Sequence, residues 1–237
     1  MSQVVKKEKI VGVLGGMGPE STAHFFQRII ELTPAKFDQD HIPIIIYNNP
    51  NIPDRTEAIL NQGESPLPAL IKGISVLQQA GVEFICIPCN TAHYYYEDLQ
   101  KYSAVPVINL IEEVVLATLE ESSNLERVGL LATPGTIKSR LYQNAFQPQG
   151  IAVIAPEDWI LNDLGRAIHR LKGKSKEYGF IQKSAEVLIK NEIQALILGC
   201  TELSLIRSNL SISVPILDSI EILAKKIVYI ASNSESL

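Results

Sequence analysis

Apolar and polar positions along the chain fall into two alternating patterns. Short continuous Val/Ile/Leu runs occur at Ile10–Leu14, Ile42–Tyr47, Phe84–Ile87, Val105–Ile108, Val128–Leu131, Ile151–Ile154, Ala195–Leu198 and Val214–Leu217. Runs of this length and composition predict strands buried on both faces of a parallel sheet. Between them, apolar residues recur at helical spacing over Ser21–Leu32, Leu67–Ala80, Ala92–Gln100, Ile111–Glu121, Ile137–Phe146, Leu161–Leu171, Ile181–Asn191 and Ile220–Ala231. Strand and helix in regular alternation predict an α/β fold with helices covering parallel sheets.

The pattern is written twice. Val11-Gly-Val-Leu matches Val128-Gly-Leu-Leu, Ile87-Pro-Cys89-Asn-Thr matches Leu198-Gly-Cys200-Thr-Glu, and Val105-Pro-Val-Ile-Asn-Leu-Ile-Glu112 matches Val214-Pro-Ile-Leu-Asp-Ser-Ile-Glu221. Short Val/Ile strings recur by chance in any α/β protein, which explains one match but not three in order. We therefore expect two similar lobes related by a pseudo-two-fold axis, each a parallel sheet flanked by helices, with a ligand cleft between them. The expected division is 1–110 plus 214–237 for the first lobe and 111–213 for the second, the last segment crossing back onto the first half. Ligands of such sheets bind beyond the carboxyl ends of the strands, which places Cys89 and Cys200 in one cleft.

Composition narrows the setting. A net charge of −5 without a long basic run argues against nucleic-acid and membrane-surface partners. The apolar stretch before Gly15 is shorter than the roughly 7–15 residues of a signal-peptide core, and no run reaches the ~18 residues of a membrane span. Three cysteines make no disulfide framework, so a reducing cytoplasm is the expected location.

Cys89 and Cys200 each follow a strand and precede a helix. Asn90 or Thr91 is expected to cap the first helix and Thr201 the second, and the helix N-terminus should lower each thiol from about 8.5. Buried cysteines are common for packing reasons alone, and Cys86, inside an apolar run, reads that way. Two thiols on opposite faces of one carbon suit racemisation: one removes the α-proton while the other supplies a proton. Donors for the developing carbanion are available at the same strand ends in Asn90, Thr91, Thr133, Thr136 and Thr201. Glu202 either tunes Cys200 or caps its helix.

The loop Gly15-Gly-Met17-Gly18-Pro-Glu-Ser-Thr22 opens a helix and suits a substrate carboxylate, though a plain tight turn needs the same glycines. It is neither a Walker loop nor a dinucleotide fingerprint. Asn48-Asn49-Pro-Asn-Ile-Pro-Asp-Arg55-Thr56 should border the cleft. Arg55 there either grips a second carboxylate or is a solvated surface residue. Lys172 or Lys174 can supply an opposing positive charge or lie in solvent.

These motifs resemble the aspartate/glutamate racemase family, in particular its aspartate racemase branch: Gly15-Gly-Met-Gly-Pro, Ile52-Pro-Asp-Arg-Thr56, Ile87-Pro-Cys-Asn-Thr-Ala-His93 and Leu198-Gly-Cys-Thr-Glu202. The resemblance spans nearly the whole chain. It implies two α/β lobes, a homodimer, no cofactor and no metal. It also implies a small amino-acid substrate, and Arg55 with a second-lobe lysine on the substrate side-chain carboxylate. Some members carry threonine for the first cysteine; with Cys89 present, a full two-thiol enzyme is expected. Three competing readings are the same chemistry on glutamate or a broader amino-acid range, a Cys86-x-x-Cys89 redox protein, and a non-catalytic amino-acid binding module. A zinc site at Cys86, Cys89, His93 and Cys200 is a further one, for which the spacing is awkward.

Overall fold

The structure is a computed structural model that describes residues 9–121, 124–173 and 177–233. Two parallel sheets form the frame. The first contains β1 (Val11–Gly15), β2 (Ile44–Asn48) and β3 (Phe84–Cys86) in the order β2-β1-β3. The second contains β4 (Arg127–Ala132), β5 (Ala152–Ile154), β6 (Ala195–Gly199) and β7 (Ile216–Asp218) in the order β5-β4-β6-β7. The run Val105–Ile108 joins the first sheet only through a single parallel bridge, Ile85 to Val107. With that bridge as a rudimentary fourth strand, both halves share one strand order, as the internal repeat requires.

The closing segment, expected to return to the first lobe, is shared between the halves. β7 pairs with β6, Leu196 opposite Ile216, so the strand of the closing segment belongs to the second sheet. The helix after it, Ser219–Ser232, leaves that sheet and packs on helices of both halves.

Eleven α-helices cover the sheets among the described residues. They are α1 (Pro19–Leu32), α2 (Arg55–Ile59), α3 (Leu67–Gln79), α4 (Tyr96–Tyr102), α5 (Leu110–Glu121) and α6 (Pro134–Lys138), followed by α7 (Leu141–Phe146), α8 (Asp158–Lys172), α9 (Gly179–Lys190), α10 (Thr201–Ser204) and α11 (Ser219–Ser232). The expected helix over Ile137–Phe146 is broken between α6 and α7 at Arg140, whose φ of 58° turns the chain. The expected Ala92–Gln100 helix begins as a 3-10 turn, Thr91–Tyr95, before α4.

Alternation along the strands decides which side chain enters which core. Val11, Val13, Phe84 and Cys86 point inward to a central cluster that also takes Val128, Leu130, Ala195 and Ile197 from the second sheet. Their neighbours Leu14, Ile85 and Ile87 face α3 and α4 on one outer side; Leu131, Leu196 and Leu198 face α8 and α9 on the other. Leu223, Ala224 and Ile227 of α11 and Leu110 and Val114 of α5 complete the central cluster. Each such buried aliphatic side chain contributes roughly 1.5–3 kcal/mol, so the two halves share one core and their strand ends are held in fixed relation. Across this seam the Arg28 guanidinium of α1 grips the Glu221 carboxylate of α11, Nε to Oε2 at 2.8 Å and Nη2 to Oε1 at 3.1 Å.

Candidate functional site

One cavity lies where the carboxyl ends of the two sheets meet. Cys89, Asn90 and Thr91, just after β3, line it from the first half, together with Met17 of the glycine loop and Arg55. Cys200, Thr201 and Glu202 after β6, Thr133 after β4 and Lys172 at the end of α8 line it from the second. Cys89 and Cys200 are each 5% exposed, so both thiols are enclosed.

The glycine loop is shaped by close approach. Gly16 has φ +99°, and a Cβ on it would stand 2.3 Å from the Asn49 carbonyl oxygen, so only glycine fits. The Thr22 hydroxyl accepts from Gly16 N–H and donates to the Gly18 carbonyl, pinning the loop to the start of α1. A Cβ on Gly18 would lie 3.1 Å from Glu202 Oε1, so the carboxylate packed at this loop is the chain's own. Asn49 stays off the cavity wall: its backbone N–H bonds Gly15 and its side chain accepts from Asn51 N–H.

Arg55 is only 7% exposed because Asp54, capping α2 through the Thr56 and Glu57 N–H groups, turns the first residue of that helix inward. Its Nη1 donates to the Ile52 and Pro53 carbonyls and its Nη2 to Met17 O at 3.4 Å, while its buried Nε has no partner. Buried donors are nearly always paired, and this one is left without a protein acceptor. Lys172 is the exposed last residue of α8, where a cation suits the helix dipole. Desolvation pulls its ammonium down, but the nearby Glu202 and the thiols hold it above its ordinary value. Desolvation pushes Asp54 up, yet the Glu57 N–H bond and the Lys172 and Arg55 charges bring it below the usual carboxylate range. Asp54 and Thr56 also line the cavity, and the sequence reading did not single them out as site residues. Lys174 lies outside the described residues.

The predicted helix caps are not formed; Asn90 and Thr91 bond across the seam instead, and Thr201 bonds its neighbour Glu202. Asn90 accepts from the Tyr142 hydroxyl at 2.5 Å and donates to Ser219 Oγ at 3.0 Å, and Ser219 donates to the Leu198 carbonyl at 2.8 Å. The hydroxyls of Thr91, Thr133 and Thr136 form a triangle with edges of 2.9, 2.9 and 3.1 Å. Thr201 Oγ1 donates to Glu202 Oε2 at 3.1 Å.

Nor is the Cys200 thiol lowered as expected. Burial raises it, and the Glu202 carboxylate, which accepts from Sγ at 3.0 Å, raises it further against the pull of Lys172. The single turn of α10 is too short for its dipole to reverse this. Glu202 is 2% exposed and acts on the thiol rather than as a helix cap.

His93, a member of the alternative zinc set, has both ring nitrogens bonded within the protein. Its Nε2 accepts from Leu110 N–H at 3.0 Å, which leaves the proton on Nδ1 for the Cys89 carbonyl at 2.9 Å. Both ring nitrogens are engaged, and burial keeps the ring neutral. Cys86 donates to the Gly12 carbonyl from inside the core, and burial pushes its thiol far up, the opposite of a redox-active Cys-x-x-Cys.

The sequence profile of the Asp/Glu/hydantoin racemase family matches residues 14–227. The chain belongs to this family and is an isomerase. The chain is 32% identical over 233 residues to the broad-specificity amino-acid racemase RacX of Bacillus subtilis, covering 95% of this chain and 100% of that one. The Picrophilus torridus aspartate racemase has the same fold, with a TM-score of 0.82, 31% identity and 96% of each chain covered. An aspartate racemase homologue from Pyrococcus horikoshii follows at TM-score 0.74 and 28% identity, with 95% and 100% covered.

Proposed function

We propose that this enzyme racemises an acidic amino acid, aspartate first, by passing protons across the α-carbon between Cys89 and Cys200 without a cofactor. The observation that carries this reading is the pair of enclosed thiols, at equivalent ends of β3 and β6, that line one cavity from its two halves together with Arg55, whose buried Nε has no partner. One sulfur, as thiolate, takes the α-proton; the other, as thiol, protonates the opposite face; in the reverse direction they exchange roles. The electron pair left on the α-carbon spreads into the carboxylate, where the second amide N–H of Asn90 and the hydroxyls of Thr91, Thr133 and Thr201, turned from their partners in the free site, stabilise it. Arg55, through its free Nε edge, and Lys172 hold the side-chain carboxylate. An acidic side chain is what two cations at one cavity call for.

A second reading is supported by the likeness to RacX, whose name records broad specificity: the same thiol chemistry on a wider range of amino acids. The reading also carries a homodimer and a reducing cytoplasmic setting, with which three free cysteines agree. Among the described residues no helix is long and apolar enough to cross a membrane.

The test is proton NMR of L-aspartate, L-glutamate and a panel of neutral L-amino acids in D2O with the purified protein, beside Cys89→Ala and Cys200→Ala. Loss of the α-proton signal and formation of D-aspartate by the parent alone are expected. Racemisation surviving in either variant would sink the two-thiol mechanism, and turnover of neutral amino acids with none of aspartate or glutamate would sink the acidic substrate.

A further inference from the structure

The two thiols occupy equivalent places in the repeat, but their surroundings break the symmetry. Two residues beyond Cys200 stands Glu202; two residues beyond Cys89 stands Thr91. The Thr91 hydroxyl is taken up by Thr133 and Thr136. The Glu202 carboxylate receives both the Cys200 thiol and the Thr201 hydroxyl on Oε2, at 3.0 and 3.1 Å, and is 98% enclosed, being only 2% exposed. We infer that Glu202 is a positioning residue that keeps the proton on Cys200, so the resting site presents Cys200 as its acid and begins proton removal at Cys89. This inference rests on the two-thiol reading above.

The charges around Cys200 bear it out in direction. Glu202 on α10 faces the thiol directly; Lys172 on α8 opposes it, with its charge shared among Glu202, Cys200 and Cys89 and checked by Arg55 on α2. Tyr142 on α7 is neutral, its hydroxyl pushed up first by burial and then by Asp218 and Cys200. A carboxylate in hydrogen-bond contact disfavours a thiolate by like-charge repulsion and rewards the thiol with an acceptor. In one turnover the Cα–H bond breaks and an S–H bond forms at Cys89. The Cys200 S–H then breaks as the new Cα–H forms on the opposite face. The thiolate so made lies against Glu202; Cys89 loses its proton to solvent and Cys200 regains one, restoring the resting pattern.

The two enantiomers have equal free energy, so kcat/KM must be the same in both directions for any variant. The asymmetry can appear only in kcat and KM separately: the enantiomer that needs the Cys200 thiolate meets a minor form of the enzyme and shows the higher KM. The test uses the full chain carrying Cys89→Ser, so that the thiolate absorbance in the ultraviolet reports Cys200, with the double variant Cys89→Ser, Cys200→Ser as the blank. Adding Glu202→Gln should move the titration down by about one pH unit, roughly a tenfold gain in thiolate at fixed pH. Glu202→Asp, which keeps the charge, should stay near the parent. In enzyme with both cysteines, the KM values of the two enantiomers should converge in Glu202→Gln and remain apart in Glu202→Asp. A titration that stays put or rises in Glu202→Gln, or a KM ratio unmoved by it, overturns the inference. Racemisation that persists in Cys89→Ser and Cys200→Ser refutes the two-thiol reading instead, and leaves the absorbance titration to judge Glu202 on its own.

Discussion

Tyr142→Phe removes one hydroxyl from the seam between the halves and leaves the ring in place. Tyr142 is fully buried, its OH donates to Asn90 Oδ1, and Asn90 is only 2% exposed. The substitution makes no large cavity, but it strands Asn90 Oδ1, on a residue only 2% exposed, without its protein donor. The expected cost is about 1–3 kcal/mol. For a chain of this size each kcal/mol lowers Tm by roughly 2–4 °C, so a fall on the order of 2–12 °C is expected. Asn90→Ala breaks the bonds to both Tyr142 and Ser219. In the double variant the Tyr142 hydroxyl has already lost its partner, so its removal adds little. Urea unfolding of all four proteins should give a coupling energy of at least about 1 kcal/mol. The network runs from the residue after Cys89 to the carbonyl two residues before Cys200. Tyr142→Phe should therefore also reduce kcat, about tenfold or more, through misplaced thiols. Additivity within about 0.5 kcal/mol, or a Tyr142→Phe protein as stable as the parent, would refute this account of the seam.

Other substitutions separate packing from chemistry. Cys86→Ala should cost roughly 1 kcal/mol by shrinking a core side chain and leave racemisation within about twofold, read by urea unfolding and an enantiomer assay. Gly16→Ala forces a Cβ toward the Asn49 carbonyl at positive φ, so a loss of more than about 1 kcal/mol is expected in thermal unfolding. Arg55→Lys loses the planar fork and should raise KM for an acidic substrate by about tenfold or more, with a much smaller change for a neutral one. Burial raises Glu221, but the Arg28 bond and charge outweigh it and hold the carboxyl below its usual range. A lowered folded value means stability that is full above the ordinary glutamate pKa of roughly 4.3 and lost as pH falls through the folded one. The stability gap between the parent and Glu221→Gln should therefore close as unfolding is measured at successively lower pH; a gap that persists into strong acid contradicts the pairing.

The frame was legible because strand alternation and helix periodicity are local properties of sequence, and the repeat exposed which strand ends are equivalent. Val105–Ile108 misled as a full strand because Pro106 breaks the run and only Val107 bridges the first sheet. The break at Arg140 lacked a glycine to announce it. The α2 helix was available in Asp54-Arg-Thr-Glu57, a helix-start signature, and reading it would have turned Arg55 inward and drawn in Asp54 and Thr56. The cysteines stood out through duplication. The roles of Asn90 and Thr91 did not, since a cap and a cross-seam hydrogen bond ask for the same small polar residues, nor did that of Thr201, which bonds the adjacent Glu202. Tyr142 had no local signal at all: its partner lies in the other half of the chain.

The repeat that supplies two matching thiols has a geometrical consequence for everything else around the cavity. A two-fold rotation that swaps the sulfurs also swaps the faces of a flattened carbon lying between them. An amino acid carries three different heavy groups on that carbon, so no such rotation maps it onto itself. In the proposed mechanism acid and base obey the axis, whereas the groups proposed to grip the substrate must violate it, or inversion would tumble the whole molecule instead of moving one proton. On the proposed roles, Arg55 in one half and Lys172 in the other, like Thr91 opposite Glu202, are places where the two halves differ as that stereochemistry requires.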